Sequence, residues 1–317
     1  MNYFFVAIGL SLLILGGEFL VRGAVSLALR LKVSTLLIAL TVVAFGTSMP
    51  ELLVSLDAAI SGSPELTIGN IVGSNIANIL LILGLPALIA PIVLGYENIK
   101  NYLILIVAYI LFIIFSLNFE INKFEGIILS FLLVLFLFNS YIQGKKDRKK
   151  FQSISSEVNS LESSNKLFII IILLVVGLLG LFFGSDLLIK GAIGIASDFN
   201  VPKEIIGLSL LAIGTSLPEL STSIIAALKK QSDFIIGNVI GSNIFNTLGV
   251  AGITSLVVSI PVKKEIVLFD LSIMFLSLIF LVPLFLLKIK ISKYIGILFF
   301  ISYITYIYTI FIYDKNL

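Results

Sequence analysis

No cysteine and no histidine occurs in the 317 residues, and charged residues make up only 12% of them. The first absence excludes a disulfide framework and any thiolate metal site. The second removes the commonest transition-metal ligand and the usual proton shuttle near neutral pH. The third falls well below the roughly 25% charged residues of average soluble domains. With 59% hydrophobic residues and a mean hydropathy of +1.16, the chain has no room for a soluble domain and reads as an integral membrane protein. A net charge of +3 makes no case for a nucleic-acid partner. Any ion chemistry must use carboxylates, hydroxyls, amides and backbone carbonyls, which are hard-cation ligands. Without a nucleophile or a transition-metal set, neither enzyme activity nor a bound cofactor is expected. Nothing in the chain calls for an obligate protein partner; the expected partners are inorganic cations and the lipid bilayer.

What is present is long apolar runs. A helix needs about 20 apolar residues to cross the hydrocarbon layer, and on that scale spans are predicted near 3–29, 35–60, 66–90, 99–117, 124–142, 167–197, 203–228, 234–259, 266–287 and 292–312. The opening MNYFFVAIGLSLLILGGEF lacks a basic leader and a small-residue cleavage site, so it is expected to persist as the first span. Residues 143–166, basic and then rich in Ser and Asn, divide the chain. The expected organisation is a first five-helix repeat over 1–142, a flexible cytoplasmic linker over 143–166, and a second five-helix repeat over 167–317.

The two halves resemble each other at an offset of 168 residues without a gap. Glu51 falls on Glu219, Glu18 on Asp186, Arg22 on Lys190, and IGNIVGSNIAN (68–78) on IGNVIGSNIFN (236–246). Five spans per copy make the second enter from the opposite side. The predicted fold is therefore all-α, with ten transmembrane helices as two inverted five-helix repeats, an architecture recurrent among secondary transporters. With both termini outside, the inner loops hold fourteen basic residues and the outer loops five, which with Arg22 and Lys190 inside spans completes the 21. That asymmetry satisfies the positive-inside rule.

Polar residues gather at the middle of four spans. Thr47, Ser48 and Glu51 share a helical face, as do Ser74 and Asn78. The second repeat copies them as Thr215, Ser216, Glu219, Ser242 and Asn246. Pro50 and Pro218 lack an N–H, so the carbonyls of Gly46 and Gly214 are expected to lose their helical partners. A mid-membrane acid costs roughly 3 kcal/mol on insertion scales. Arg22 and Lys190, the intramembrane bases, each have an acid four residues earlier, Glu18 and Asp186, and read as structural ion pairs. Glu51 and Glu219 are thus left to protons or mobile cations. Asp57 has no acidic counterpart, its mate being Ile225, and reads as a solvated helix end.

GTSMPE and GTSLPE, with GNIVGSNIAN and GNVIGSNIFN, resemble the two alpha repeats of the sodium/calcium exchanger family in the cation/calcium antiporter superfamily, in a prokaryotic form without a large regulatory loop. The resemblance covers essentially the whole chain. It implies an ion site between spans 2, 3, 7 and 8, alternating access with spans 1 and 6 as a sliding gate, and a prokaryotic plasma membrane. It implies carboxylate ligands from Glu51 and Glu219, carbonyls of Ala44, Thr47, Ala212 and Thr215, and side-chain oxygens of Ser48, Ser74, Ser216 and Ser242, with Asn78 at the central site. Asn246 stands where some members carry aspartate. Two ionised glutamates match one Ca²⁺ but fall short of three Na⁺. Exchange of Ca²⁺ for Na⁺ is the expected activity, with H⁺ or another cation pair as the alternative.

Overall fold

The computed structural model describes residues 2–95, 99–147, 166–199 and 214–314. Residues 148–165 of the predicted linker and the first part of the predicted seventh span, with Ala212, lie outside the described residues. Nine helices among them are long and apolar enough to cross a membrane: α1 (Asn2–Leu31), α2 (Thr35–Ile60), α3 (Glu65–Ile89), α4 (Ile99–Ser116), α5 (Lys123–Lys146), α6 (Leu167–Asp198), α8 (Ser232–Val257), α9 (Ile266–Leu286) and α10 (Lys293–Ile310). Between α6 and α8, the described part of the seventh span contains the shorter helix α7 (Leu217–Leu228). The ten-helix, twice-repeated architecture expected from the sequence is the one observed.

Burial sorts the helices into a centre and a rim. α8 is buried along its length and α3 over most of it, whereas α4, α5, α6 and α10 turn side chains such as Val107, Phe131, Ile171 and Ile301 outward. Outward apolar side chains suit a lipid solvent, which leaves packing rather than hydrophobicity to hold the helices together. The α1–α6 contact shows how. Gly9, Gly16 and Gly23 recur every seven residues on α1, and Gly177, Gly184 and Gly191 are their mates on α6. A Cβ built on Gly16 would lie 2.8 Å from the Leu181 nitrogen, and one on Gly184 2.9 Å from the Leu13 nitrogen. The two backbones touch, with no side chain between them.

The repeat extends into the connections. Glu120–Ile121 (β1) pairs antiparallel with Ile260–Pro261 (β2), joining the α4–α5 turn to the α8–α9 turn. Its symmetry mate is the bridge between Ile92 and Ile291, closed by hydrogen bonds of 3.0 and 2.9 Å. Each repeat thus clips a loop of the other. The turns ending α2 and α7 both use a left-handed residue, Gly62 (φ 87°) and Lys230 (φ 56°).

Three irregularities go beyond the sequence reading. α2 carries a π-helical segment at Ala39–Val43, α8 another at Phe245–Val250, and α9 begins with one at Ile266–Asp270. A π turn widens the helix by one residue and rotates the next turns about the axis. In α2 and α8 these segments adjoin or contain predicted site residues.

Adding a methyl group at Gly16 forces the α1 and α6 backbones apart. Gly16→Ala is expected to destabilise the protein by about 1–3 kcal/mol. Gly69→Ala, whose Cβ would meet nothing within 4 Å, should be neutral or stabilising by up to about 1 kcal/mol. Thermal unfolding in detergent, followed by size-exclusion chromatography, checks the contrast.

Candidate functional site

Both Gly-Thr-Ser-x-Pro-Glu stretches break their helices at the serine. Ser48 (φ −88°, ψ 7°) and Ser216 (φ −86°, ψ 3°) take nearly the same non-helical conformation, and new helices begin at Met49 and Leu217. Pro50 and Pro218 occupy the first turns of these helices, where a missing N–H costs nothing. This refines the sequence reading: proline opens the second half-helix instead of kinking a continuous one. Glu51 and Glu219 follow in the same first turns. Each carboxylate therefore sits at the positive end of a half-helix dipole, a placement that favours anions by typically 0.3–1 kcal/mol.

The structure brings the predicted residues together across the repeats. Ala44, Thr47, Ser48, Glu51, Ser74, Asn78, Thr215, Ser216, Glu219, Ser242 and Asn246 are all buried. The Ser48 hydroxyl of the first repeat donates to Glu219 Oε1 of the second at 3.1 Å, and Ser242 approaches the same oxygen at 3.4 Å. Ser74 and Thr215 hydroxyls meet at 3.4 Å across the repeats. Asn78 donates to Oδ1 of Asn243 at 3.0 Å. The carbonyl of Ala44 accepts the Ser48 N–H at 3.0 Å and the Thr47 hydroxyl at 3.4 Å, leaving it less free than an unwound carbonyl.

What the site lacks is as informative as what it has. Both Glu51 oxygens, Oε2 of Glu219, Oγ of Ser216 and the Oδ1 atoms of Asn78 and Asn246 are buried without a hydrogen-bond partner among the described residues. A buried, unpaired oxygen costs about 1–3 kcal/mol, more when it is charged, and these six come from residues of both repeats; the Nδ2 of Asn246 is likewise unpartnered. Among the described residues no group of three or more acidic, His or Cys side chains occurs. The donor set is two carboxylates surrounded by neutral oxygens, which suits a hard cation of six to eight oxygen ligands. An apolar cleft of about 570 Å³, lined by Phe45, Gly46, Thr47, Pro50, Leu178 and Pro218 among others, reaches the edge of this centre from between α2 and α6.

Asn70, Asn75, Asn238 and Asn243, in the shell around the centre, are not singled out by sequence reasoning. They lie in the repeated IGNxxGSN stretch, so the repeat itself is the available signal. The Glu18–Arg22 and Asp186–Lys190 pairs form as expected. Glu18 also receives Lys229, just past the end of α7, at 2.7 Å, a long-range contact that spacing along one helix cannot reveal. Asp57 is exposed. Asp270, a further acid within α9, accepts the Tyr306 hydroxyl at 2.9 Å, away from the centre.

Known proteins place this geometry. The family model described as sodium/calcium exchanger protein matches residues 1–142 and 169–312. An uncharacterised membrane protein of Methanocaldococcus jannaschii is 36% identical over 300 residues, 94% of each chain. The sodium/calcium exchanger MaX1 of Methanosarcina acetivorans is 31% identical over 317 residues, covering 89% of this chain and 90% of its own. A solved structure of the sodium-calcium exchanger NCX_Mj superposes with a TM-score of 0.83 at 31% identity over 96% of both chains. With two glutamate-bearing half-helices facing each other in a ten-helix membrane bundle, the chain belongs to the sodium/calcium exchanger family of cation antiporters.

Proposed function

We propose that this protein exchanges Ca²⁺ for Na⁺ by alternating access at the centre formed by Glu51, Glu219, Ser48, Ser216, Ser74, Ser242, Asn78, Asn246 and the backbone of Ala44, Thr47 and Thr215. The observation that carries the reading is the set of six unpartnered buried oxygens contributed by both repeats around two carboxylates. One Ca²⁺ neutralises the two glutamates and supplies the missing electron-pair acceptor to each oxygen. The same carboxylates serve the counter-ions, so Ca²⁺ and Na⁺ exclude one another. Mutual exclusion at one site, presented alternately to the two sides, is what makes the protein an exchanger and not a channel.

Asn246 sets the charge count. A neutral amide there leaves a charge of −2 when both glutamates are ionised, which balances one Ca²⁺ or two Na⁺. The cycle is then electroneutral. The side holding Arg30, Lys32, Lys145, Lys146, Lys229, Lys230 and Lys288 is taken as cytoplasmic, which places both termini outside, and the host membrane as a prokaryotic plasma membrane. The five-helix halves 1–142 and 167–317 each contribute half of the site, and α1 and α6 slide across the core of α2, α3, α7 and α8 as the gate.

Proteoliposomes loaded with Na⁺ are expected to take up Ca²⁺ when diluted into Na⁺-free buffer. Uptake driven by an outward proton gradient alone would replace Na⁺ by H⁺ as the coupling ion, a reading favoured by the same charge of −2. Glu51→Gln and Glu219→Gln should each lower uptake by at least about 100-fold, since each leaves a buried centre short of one charge; retention of exchange in either variant removes that residue from the ligand set.

Electroneutral exchange makes the Ca²⁺ uptake rate independent of a valinomycin-imposed K⁺ diffusion potential. Asn246→Asp raises the ionised centre to −3 and is expected to introduce potential dependence. A wild-type rate that follows the imposed potential would overturn the charge count.

A further inference from the structure

Two asparagines outside the ligand set join the repeats at the centre. Asn70 on α3 donates from Nδ2 to the Glu51 carbonyl at 3.0 Å and to Oγ of Ser55 at 2.9 Å. Its Oδ1 accepts the hydroxyl of Thr215, a residue of the other repeat, at 3.3 Å. Asn238 on α8 is its copy at the offset of 168. Nδ2 of Asn238 donates to Thr222 Oγ1 at 3.2 Å and to Ser223 Oγ at 3.5 Å, and its Oδ1 accepts the Thr47 hydroxyl at 3.4 Å.

An asparagine side chain has two N–H donors and one acceptor carbonyl. Both residues use them alike: the donors go to the glutamate-bearing half-helix of their own repeat, and the acceptor goes to the threonine of the other. One detail breaks the symmetry. Asn70 reaches the Glu51 carbonyl directly, whereas Thr222 stands between Asn238 and Glu219, its hydroxyl lying 2.9 Å from the Glu219 carbonyl.

We infer that Asn70 and Asn238 are positioning residues that hold the glutamate turn of each repeat against the Gly-Thr-Ser break of the other, so that the two sets of ligands close on a cation as one unit. The inference rests on Glu51 and Glu219 being cation ligands. Polar side chains also join membrane helices without any part in binding, and the two roles differ in what they disturb. A mere helix joint lowers stability and leaves ion affinity alone. A positioning amide lowers affinity, and because it is neutral it leaves the ratio of counter-ion to Ca²⁺ untouched. Groups that orient a metal ligand without touching the metal typically cost 10–100-fold in affinity when removed.

The test is a double-variant cycle in proteoliposomes, read as the Ca²⁺ concentration for half-maximal exchange. Asn70→Ala is expected to raise it about 10-fold with the coupling ratio unchanged. Thr215→Val, nearly isosteric but without the hydroxyl, removes the same bond from the other end. Acting through that bond, the double variant should be no worse than the more impaired single variant. Effects that multiply, or a half-saturation in Asn70→Ala within about twofold of wild type, overturn the inference. If Asn70→Ala does not fold, the mirrored cycle of Asn238→Ala with Thr47→Val reads the same coupling. Wild-type protein that exchanges no Ca²⁺ under any gradient sinks the ligand assignment and the inference with it. Wild-type exchange with multiplying effects sinks the inference alone.

Discussion

Hydrocarbon cannot hydrate a carboxylate, and the centre of this molecule is arranged around two carboxylates that must nonetheless remain there. Burying an unpaired charge costs several kcal/mol, which the protein offsets only in part from its own atoms. Helix breaks at Ser48 and Ser216 aim a half-helix N-terminus at each glutamate. Ser48 and Ser242 attend Glu219. On the proposed function, the cation supplies the remainder of the stabilisation, so an empty site is the costly state. A transporter gains from this arrangement, because occupancy and compaction of the centre then favour each other.

Much of this is legible in the sequence because membrane insertion penalises polar residues so strongly that their positions stand out. Glu51 and Glu219 are visible as uncompensated acids, and the 168-residue offset pairs them without structural help. The ten spans follow from hydropathy, and their described boundaries lie within a few residues of the expected ones. Less visible are contacts whose register depends on how two helices cross. The Lys229–Glu18 bridge joins residues 211 apart in the chain, and no spacing rule addresses such a pair. The π-helical segments leave no compositional mark. Asn70 and Asn238 are in plain view in a repeated motif, yet small polar residues in a membrane helix so often serve packing that only their hydrogen bonds separate them from it. The seven-residue glycine ladders are equally in view; their meaning depends on α1 and α6 being partners.

The division of labour between rim and centre also has a physical basis. α1 and α6 meet through glycine backbones and face lipid, a contact with few interlocking side chains to unlock. α8 is buried throughout and tied to α3 by Asn78–Asn243 and Asn75–Thr247. Stiffness concentrates where ligand geometry matters, and smooth contact where helices face the bilayer.

The Lys229–Glu18 bridge has one further implication. A chain made of two identical inverted halves could adopt any shape in two versions of equal energy, each the other turned upside down. The halves here are not identical. α1 lies over Ser221 and Ile225 of α7 and ties to Lys229, whereas the mates on α2, Leu53, Asp57 and Ser61, are exposed. Lys229 corresponds to a serine and Ile225 to an aspartate, so the inverted version of this shape would lose the ion pair and place a carboxylate where an isoleucine now packs. Disagreements of this kind between the repeats separate the two orientations of the molecule in energy. The pairing of α1 with the 217–229 stretch is thus fixed by residues away from the central glutamates.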